Sequence, residues 1–296
     1  MISLRSWTVP SRTATLLLGA VGALGCASQI ESYTADADTG TTHASITIER
    51  SEPANGSGLL RGSVLAGFAR IPDTLEAKNI MQAVGLASDA PAVGHCRAVN
   101  AVDETRPASM GYVEFMEAGD IRLATTQGAT QLSARAFPTI TDLISGVVYT
   151  TRDRSADAIP AGERYAISIA GNGSLGPLTL NVQAPRALDG VTVAGVPLAE
   201  VQTVSTAQPI ELAWTAGESN DVLVTEFATL DGSAGTLCTF RDDAGRATLP
   251  AGMLDTEGAG RLVIRRVSSH KFVKPGIDRG ELRFDFALRA SLTFVR

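Results

Sequence analysis

The stretch Glu163–Arg164–Tyr165–Ala166–Ile167–Ser168–Ile169, followed by Gly171–Asn172–Gly173 and then Leu178–Thr179–Leu180–Asn181–Val182–Gln183, decides the fold class. In the second limb Leu178, Leu180 and Val182 alternate with Thr179, Asn181 and Gln183. A period of two with one apolar face marks a half-buried antiparallel strand. Glycine and asparagine tolerate the left-handed backbone of tight turns, so Gly171–Asn172–Gly173 joins the two limbs as a hairpin.

The same pattern continues in both directions. Strand-like runs precede the hairpin at Leu59–Arg70, Tyr112–Met116, Ile121–Thr125, Gln131–Phe137 and Val147–Arg152. Others follow at Val191–Ala194, Ile210–Trp214, Val222–Thr229, Thr236–Phe240, Arg246–Leu249, Leu262–Ser268 and Glu281–Phe294. In the last, Leu282, Phe284, Phe286 and Leu288 oppose Arg283, Asp285 and Arg289. The run Leu262–Val267 is less regular and offers one basic face. Helical spacing occurs once, at Asp73–Val84, with Leu75, Ile80, Met81 and Val84 on one side and Asp73 as candidate N-cap; a loop plus strand fits that segment nearly as well. Short strands with turn signals and no long helix predict an all-β fold of antiparallel β-sandwiches.

Ala184–Pro185–Arg186 interrupts the pattern, because Pro185 cannot donate to a ladder, and Asp189–Gly190 adds a turn. The expected organisation is therefore two consecutive domains, 43–186 and 187–296. The second has the size of an immunoglobulin-like domain, with Trp214 as its core aromatic and no Cys–Trp–Cys spacing. Asp242–Asp243–Ala244–Gly245 reads as a hairpin turn whose acids face solvent.

The N-terminus carries a different signal. Arg5 and Arg12 precede the apolar run Ala14–Gly25, and Cys26–Ala27–Ser28 follows. Charge, apolar core and small residues in that order make a secretory signal, and the core is shorter than the roughly 20 residues of a spanning helix. Ala23–Leu24–Gly25–Cys26 resembles the bacterial lipoprotein lipobox, with Ala23 where Leu is usual and Leu24 larger than usual. The resemblance implies cleavage after residue 25 and acylation of Cys26, which anchors the chain in a membrane; Ala27 and Ser28, with no acid beside the cysteine, imply sorting to the outer membrane. The alternative is an ordinary signal peptide cut near Ala27. Residues 26–42 are polar after the cysteine and read as a disordered tether. Tether, β-rich halves, the Tyr165 hairpin and the stretch Cys238–Pro250 together resemble two-domain β-rich lipoproteins of GC-rich Gram-negative bacteria, a likeness that implies no activity.

Net charge is −6, and losing Arg5 and Arg12 with the leader leaves 23 basic against 31 acidic residues. That balance argues against a nucleic-acid partner. Lys78, Lys271 and Lys274 are the three lysines; every other cationic side chain, histidine aside, is arginine. Aromatic content of 5% offers no sugar-stacking platform once Trp7 goes with the leader and Trp214 is placed in a core. Cys96 and Cys238 remain after Cys26, and in an oxidising compartment they are candidates for a disulfide between the halves. Alternation of Cys238 with Phe240 slightly favours the other reading, two separate buried thiols.

His43, His95 and His270 show no metal-ligand spacing, and neighbours such as His95 and Cys96 point to opposite faces of a strand. Asp36–Ala37–Asp38–Thr39–Gly40 lacks the ligands of a calcium loop, and Asp153, Asp157 and Glu163 read as turn acids. No nucleophile elbow or phosphate loop is present. The sequence thus predicts no catalytic set, metal or cofactor. The expectation is a lipid-anchored cell-envelope protein with a binding or structural role, holding an envelope or extracellular protein, and no catalysis. The alternatives are an envelope hydrolase with dispersed carboxylates and a soluble secreted binding protein.

Overall fold

The computed structural model describes residues 40–73, 75–100, 113–136, 144–151, 158–173, 175–254 and 257–296. Cys26, the leader and nearly all of the tether lie outside them, as do Asp153 and Asp157.

Among the described residues the chain is all-β with one short α-helix. Strands β1 (Thr41–Pro53) and β2 (Arg61–Ile71) lead to helix α1 (Ala77–Ala83) and then β3 (Cys96–Asn100). Next come β4 (Val113–Phe115), β5 (Ile121–Thr125), β6 (Gly128–Gln131), β7 (Ser133–Ala136) and β8 (Ile144–Thr150). The expected hairpin is β9 (Arg164–Ile169) with β10 (Leu178–Gln183), paired antiparallel with Leu178 opposite Ile169. The second half begins with β11 (Thr192–Val193), β12 (Val196–Pro197), β13 (Thr203–Ser205) and β14 (Ile210–Ala213). It continues with β15 (Val222–Thr229), β16 (Ala234–Arg241), β17 (Arg246–Leu249), β18 (Gly258–Lys274) and β19 (Ile277–Val295).

One long sheet organises the molecule, in the order β3-β16-β15-β18-β19-β1-β2-β4-β8-β7, with β13 also on β19. Two four-stranded sheets, β10-β9-β5-β6 and β12-β11-β14-β17, complete the fold. Leu282, Phe284 and Phe286 of β19 enter a first core with Ile46, Ile48, Tyr165, Ile167 and Leu180. Leu292 and Phe294 of the same strand enter a second core with Trp214, Leu223, Phe227, Leu262 and Ile264. Alternate residues of a strand share a face. The two cores therefore sit side by side on one face of the long sheet, each covered by its own small sheet. Two sandwiches share one layer.

This arrangement revises the linear division at 186/187. The chain does pass from the first core to the second there, with Ala184 in one and Leu188 in the other. The C-terminal hairpin then returns to line both, and Asp38–Arg296 clusters as a single compact unit. Its strands are the longest because their alternation is unbroken and Pro275–Gly276 closes a two-residue turn, Gly276 supplying φ 80°. β19 runs parallel to β1, with Glu49 opposite Asp285, so the long sheet is not purely antiparallel as expected. The strand also starts at Thr41, inside the expected tether.

The opposite face of the long sheet is partly covered. Helix α1 buries Ile80 and Met81 against Ala69, Ile71, Val113 and Phe115. The helix is shorter than the predicted segment, and Asp73 does not cap it; its Oδ1 accepts from Thr41 Oγ1 at 3.0 Å. From the helix the chain crosses this face: Ser45 Oγ donates to the Leu86 carbonyl at 2.5 Å, and Ala90 packs on Val224, Leu237 and Val267. It ends in β3 at the far edge, against β16.

Candidate functional site

Of the residues singled out in the sequence, Cys96 and Cys238 are brought together. They face each other directly across β3 and β16, with Cα atoms 4.1 Å apart, and form a disulfide. This corrects the slight preference for separate thiols. Alternation placed Cys238 in a core correctly, at 0% exposure, and the partner arrives because the first half sends β3 across to the second core. With no thiol proton left, the 3.7 Å approach of Met253 Sδ to Cys238 Sγ is a packing contact.

Asp242 was expected in solvent and is fully buried. Arg266 Nε and Nη2 donate to its two carboxylate oxygens at 2.6 and 3.1 Å, with Arg266 only 2% exposed. The guanidinium also donates to the carbonyls of Arg186, Ala187 and Thr215 at 3.2, 3.0 and 2.6 Å. Trp214 Nε1 donates to the Asp242 carbonyl at 2.9 Å. Every donor is occupied, as a buried charge requires. Gly217 leaves room for the pair, since a Cβ there would lie 1.9 Å from Asp242 Oδ2. The predicted basic face of β18 is thus divided: Arg266 points into the protein and Arg265 to the opposite face. Asp243 stays at the surface, paired with Arg241.

The remaining predicted acids and histidines do not converge. Glu163 is exposed and accepts from Thr126 and Gln127, which hold its carboxyl below the ordinary range. His95 is exposed beside the disulfide. Among the described residues no group of histidine, cysteine and acidic side chains is disposed to hold a metal.

The arrangement with most chemical content was not singled out in the sequence. Five neighbouring strands, β15-β18-β19-β1-β2, turn charged side chains onto the face away from the cores. They line a groove of about 490 Å³ with Arg61, Arg261, Arg265 and Arg289 against Glu49, Glu226 and Asp285. The registers set Glu49 opposite both Ser63 and Asp285, and Ser51 opposite Arg61. Arg261 Nη2 meets Glu226 at 2.8 Å, while Arg265 reaches Glu226 and Asp285 only at 3.9 and 3.7 Å. The Arg265 Nε is buried without a hydrogen-bond partner, as is Arg283 Nε next to the groove on β19. The guanidinium groups of Arg61 and Arg289 have no ion-pair or hydrogen-bond partner among the described residues. Burial pushes the Asp285 carboxyl above the ordinary carboxylate range; Arg265 and Arg283 oppose the shift, and Glu49 and Asp89 add to it. Guanidinium groups outnumber carboxylates along this face, and the Nε atoms of Arg265 and Arg283 are buried without a partner. The signal for it was the polar set Arg283, Asp285, Arg289 in β19, but the partner strands that complete it cannot be read from one strand.

No family model matches the chain, and no curated protein matches it. Among solved structures, it is similar to a two fibronectin type-III domain segment from chicken tenascin at 11% identity, covering 83% of this chain and 97% of that one, TM-score 0.22. A second is the chicken CNTN1 FN1-FN3 domains at 10% identity, 83% and 67% coverage, TM-score 0.20. A third is the Fcho1 Mu homology domain of Danio rerio with bound Eps15 peptide, at 10% identity, 88% and 100% coverage, TM-score 0.21. At such scores these likenesses carry no argument about architecture or role. The class stands on the strands themselves: an all-β protein of two sandwiches sharing one sheet.

Proposed function

We propose that the chain is a lipid-anchored envelope protein, held through acylated Cys26 at the outer membrane, that binds an acidic segment of an envelope or extracellular protein in its arginine groove and performs no catalysis. The observation that carries this reading is the groove's surplus of guanidinium donors. Calorimetric titration with a glutamate-rich peptide tests it. Binding is expected to weaken with added salt and to fall at least tenfold in the Arg61→Glu/Arg289→Glu variant. Equal binding by wild type and variant removes the groove from the reading. The anchor is tested separately by Cys26→Ser: unchanged membrane fractionation and apparent mass would replace it with a soluble secreted protein.

One observation favours the hydrolase alternative, the protonation-prone Asp285 beside Glu49 in a concave surface. Turnover of an envelope glycan by wild type, lost in Asp285→Asn, would establish that reading in place of binding.

A further inference from the structure

We infer that the end of the molecule where the chain enters, capped by the Pro275–Gly276 turn, is a docking surface for an anionic bilayer. The inference rests on the Cys26 anchor and is independent of the groove. β1 begins beside the start of β19: His43 lies opposite Arg279, and the Thr42 amide donates to Asp278 Oδ2 at 2.8 Å. The chain from Cys26 therefore arrives at the turn end of the β18–β19 hairpin. The connecting residues 27–39 can span at most about 45 Å. β1 itself spans roughly 40 Å, so its far end, with the Leu59 loop, stands well away from an anchored bilayer.

The three lysines of the chain gather at the near end. Lys78 and Lys271 line one cavity there and Lys274 flanks the turn. All three are exposed and form no ion pair among the described residues. The local acids are already engaged: Asp73 with Thr41, Asp278 with Thr42, and Glu281 with Ser269. Their charge offsets part of the patch, so the lysines orient the body rather than hold it alone.

Between Lys271 and Lys274 stands Val273, 72% exposed. Beside it a cavity of about 660 Å³ between hairpin and helix α1 is lined by Met81, Leu86 and Phe272. Long lysine stems around an exposed apolar tip suit an interface where headgroup phosphates meet acyl chains.

The test uses the full acylated chain in vesicles of phosphatidylethanolamine and phosphatidylglycerol carrying a headgroup-linked quencher. An environment-sensitive fluorophore is attached in Val273→Cys and, for comparison, in Leu59→Cys, whose parent side chain is 77% exposed at the other end. The probe at 273 is expected to be quenched several-fold more than that at 59. That difference should vanish in Lys271→Glu/Lys274→Glu and when phosphatidylcholine replaces phosphatidylglycerol. A chain that floats with the vesicles but quenches equally at both positions overturns this inference and leaves the anchor standing. A chain that does not float overturns both. Persistence of the difference in phosphatidylcholine overturns the role of the lysines.

Discussion

The two cores on the long sheet are closed by different means. The first is held by apolar and aromatic contact, with Tyr165–Phe284, Phe284–Phe286 and His270–Phe284 ring centroids 5.1, 5.8 and 6.0 Å apart. Its polar ties lie at its margin: Tyr165 Oη donates to the Pro160 carbonyl at 2.8 Å, the Ala118 amide to Tyr149 Oη at 2.8 Å, and Arg50 Nη1 to the Ile159 carbonyl at 2.9 Å. The second adds a buried ion pair and a disulfide to its apolar residues. Apolar contact is non-directional and can settle in more than one way. The Arg266 guanidinium donates only to carbonyls in a fixed geometry, two of which belong to Arg186 and Ala187 at the passage between cores. Directional groups therefore stand where the chain changes core and where a strand from the first half must find the second.

The largest effect is expected from breaking the ion pair. Arg266→Ala leaves the Asp242 carboxylate buried and alone and should lower unfolding stability by about 3–5 kcal/mol, measured by urea titration with Trp214 fluorescence. Arg266→Met/Asp242→Leu should recover much of that loss; a double variant as unstable as the single one would mean that the carbonyl contacts, and not the charges, hold the passage. Next is the disulfide. Reducing it, or Cys96→Ala/Cys238→Ala, should cost about 2–4 kcal/mol and increase hydrogen exchange first in β3. A uniform increase over both cores would erase the distinction between them.

On the first core, Tyr165→Phe removes one hydroxyl whose acceptor can turn to water, and a loss of about 1 kcal/mol is expected in thermal unfolding. A larger loss would show that this core, too, depends on directional contact. In the groove, Arg61→Glu/Arg289→Glu should change stability by no more than about 0.5 kcal/mol while weakening the peptide, which separates binding from folding.

The smallest effect concerns pH. Burial raises the Asp221 carboxyl above its unfolded value, Asp242 adds to the rise, and Ser268 and Arg266 counter it. A raised carboxyl means that the folded state holds its proton more tightly, so this residue lowers stability as pH rises from the unfolded to the folded pKa. Asp221→Asn should therefore stabilise the protein more at pH 7 than at pH 4, relative to wild type. A difference independent of pH would show that the fold does not raise the Asp221 carboxyl above its unfolded value.

The strands were legible because alternation is a local property. The Tyr165 hairpin, the placement of Trp214 and the segment Glu281–Phe294 all follow from side chains two residues apart. Their pairing was not legible. β1 meets β19, and β3 meets β16, through contacts that no local pattern encodes. Pro275–Gly276 was a usable signal for the longest hairpin, since it divides two runs that each fit a strand. Asp242 looked like a turn acid because it does lie in a turn; its burial comes from Arg266, 24 residues on. The groove escaped for the same reason, being assembled from five strands of which each contributes only one or two charged residues.

The parallel pairing of β1 with β19 places the first strand of the body beside the last. A chain made from its N-terminus can pair β1 with β2 early, but the neighbour on the other side of β1 is not made until β19. Loop closure over more than two hundred residues must precede that pairing, and contacts so distant in sequence slow folding. Neither core can close before β19 has been made, because both use residues of that strand. Folding is thereby deferred until β19 is available, and removing it should leave no folded remnant of either half.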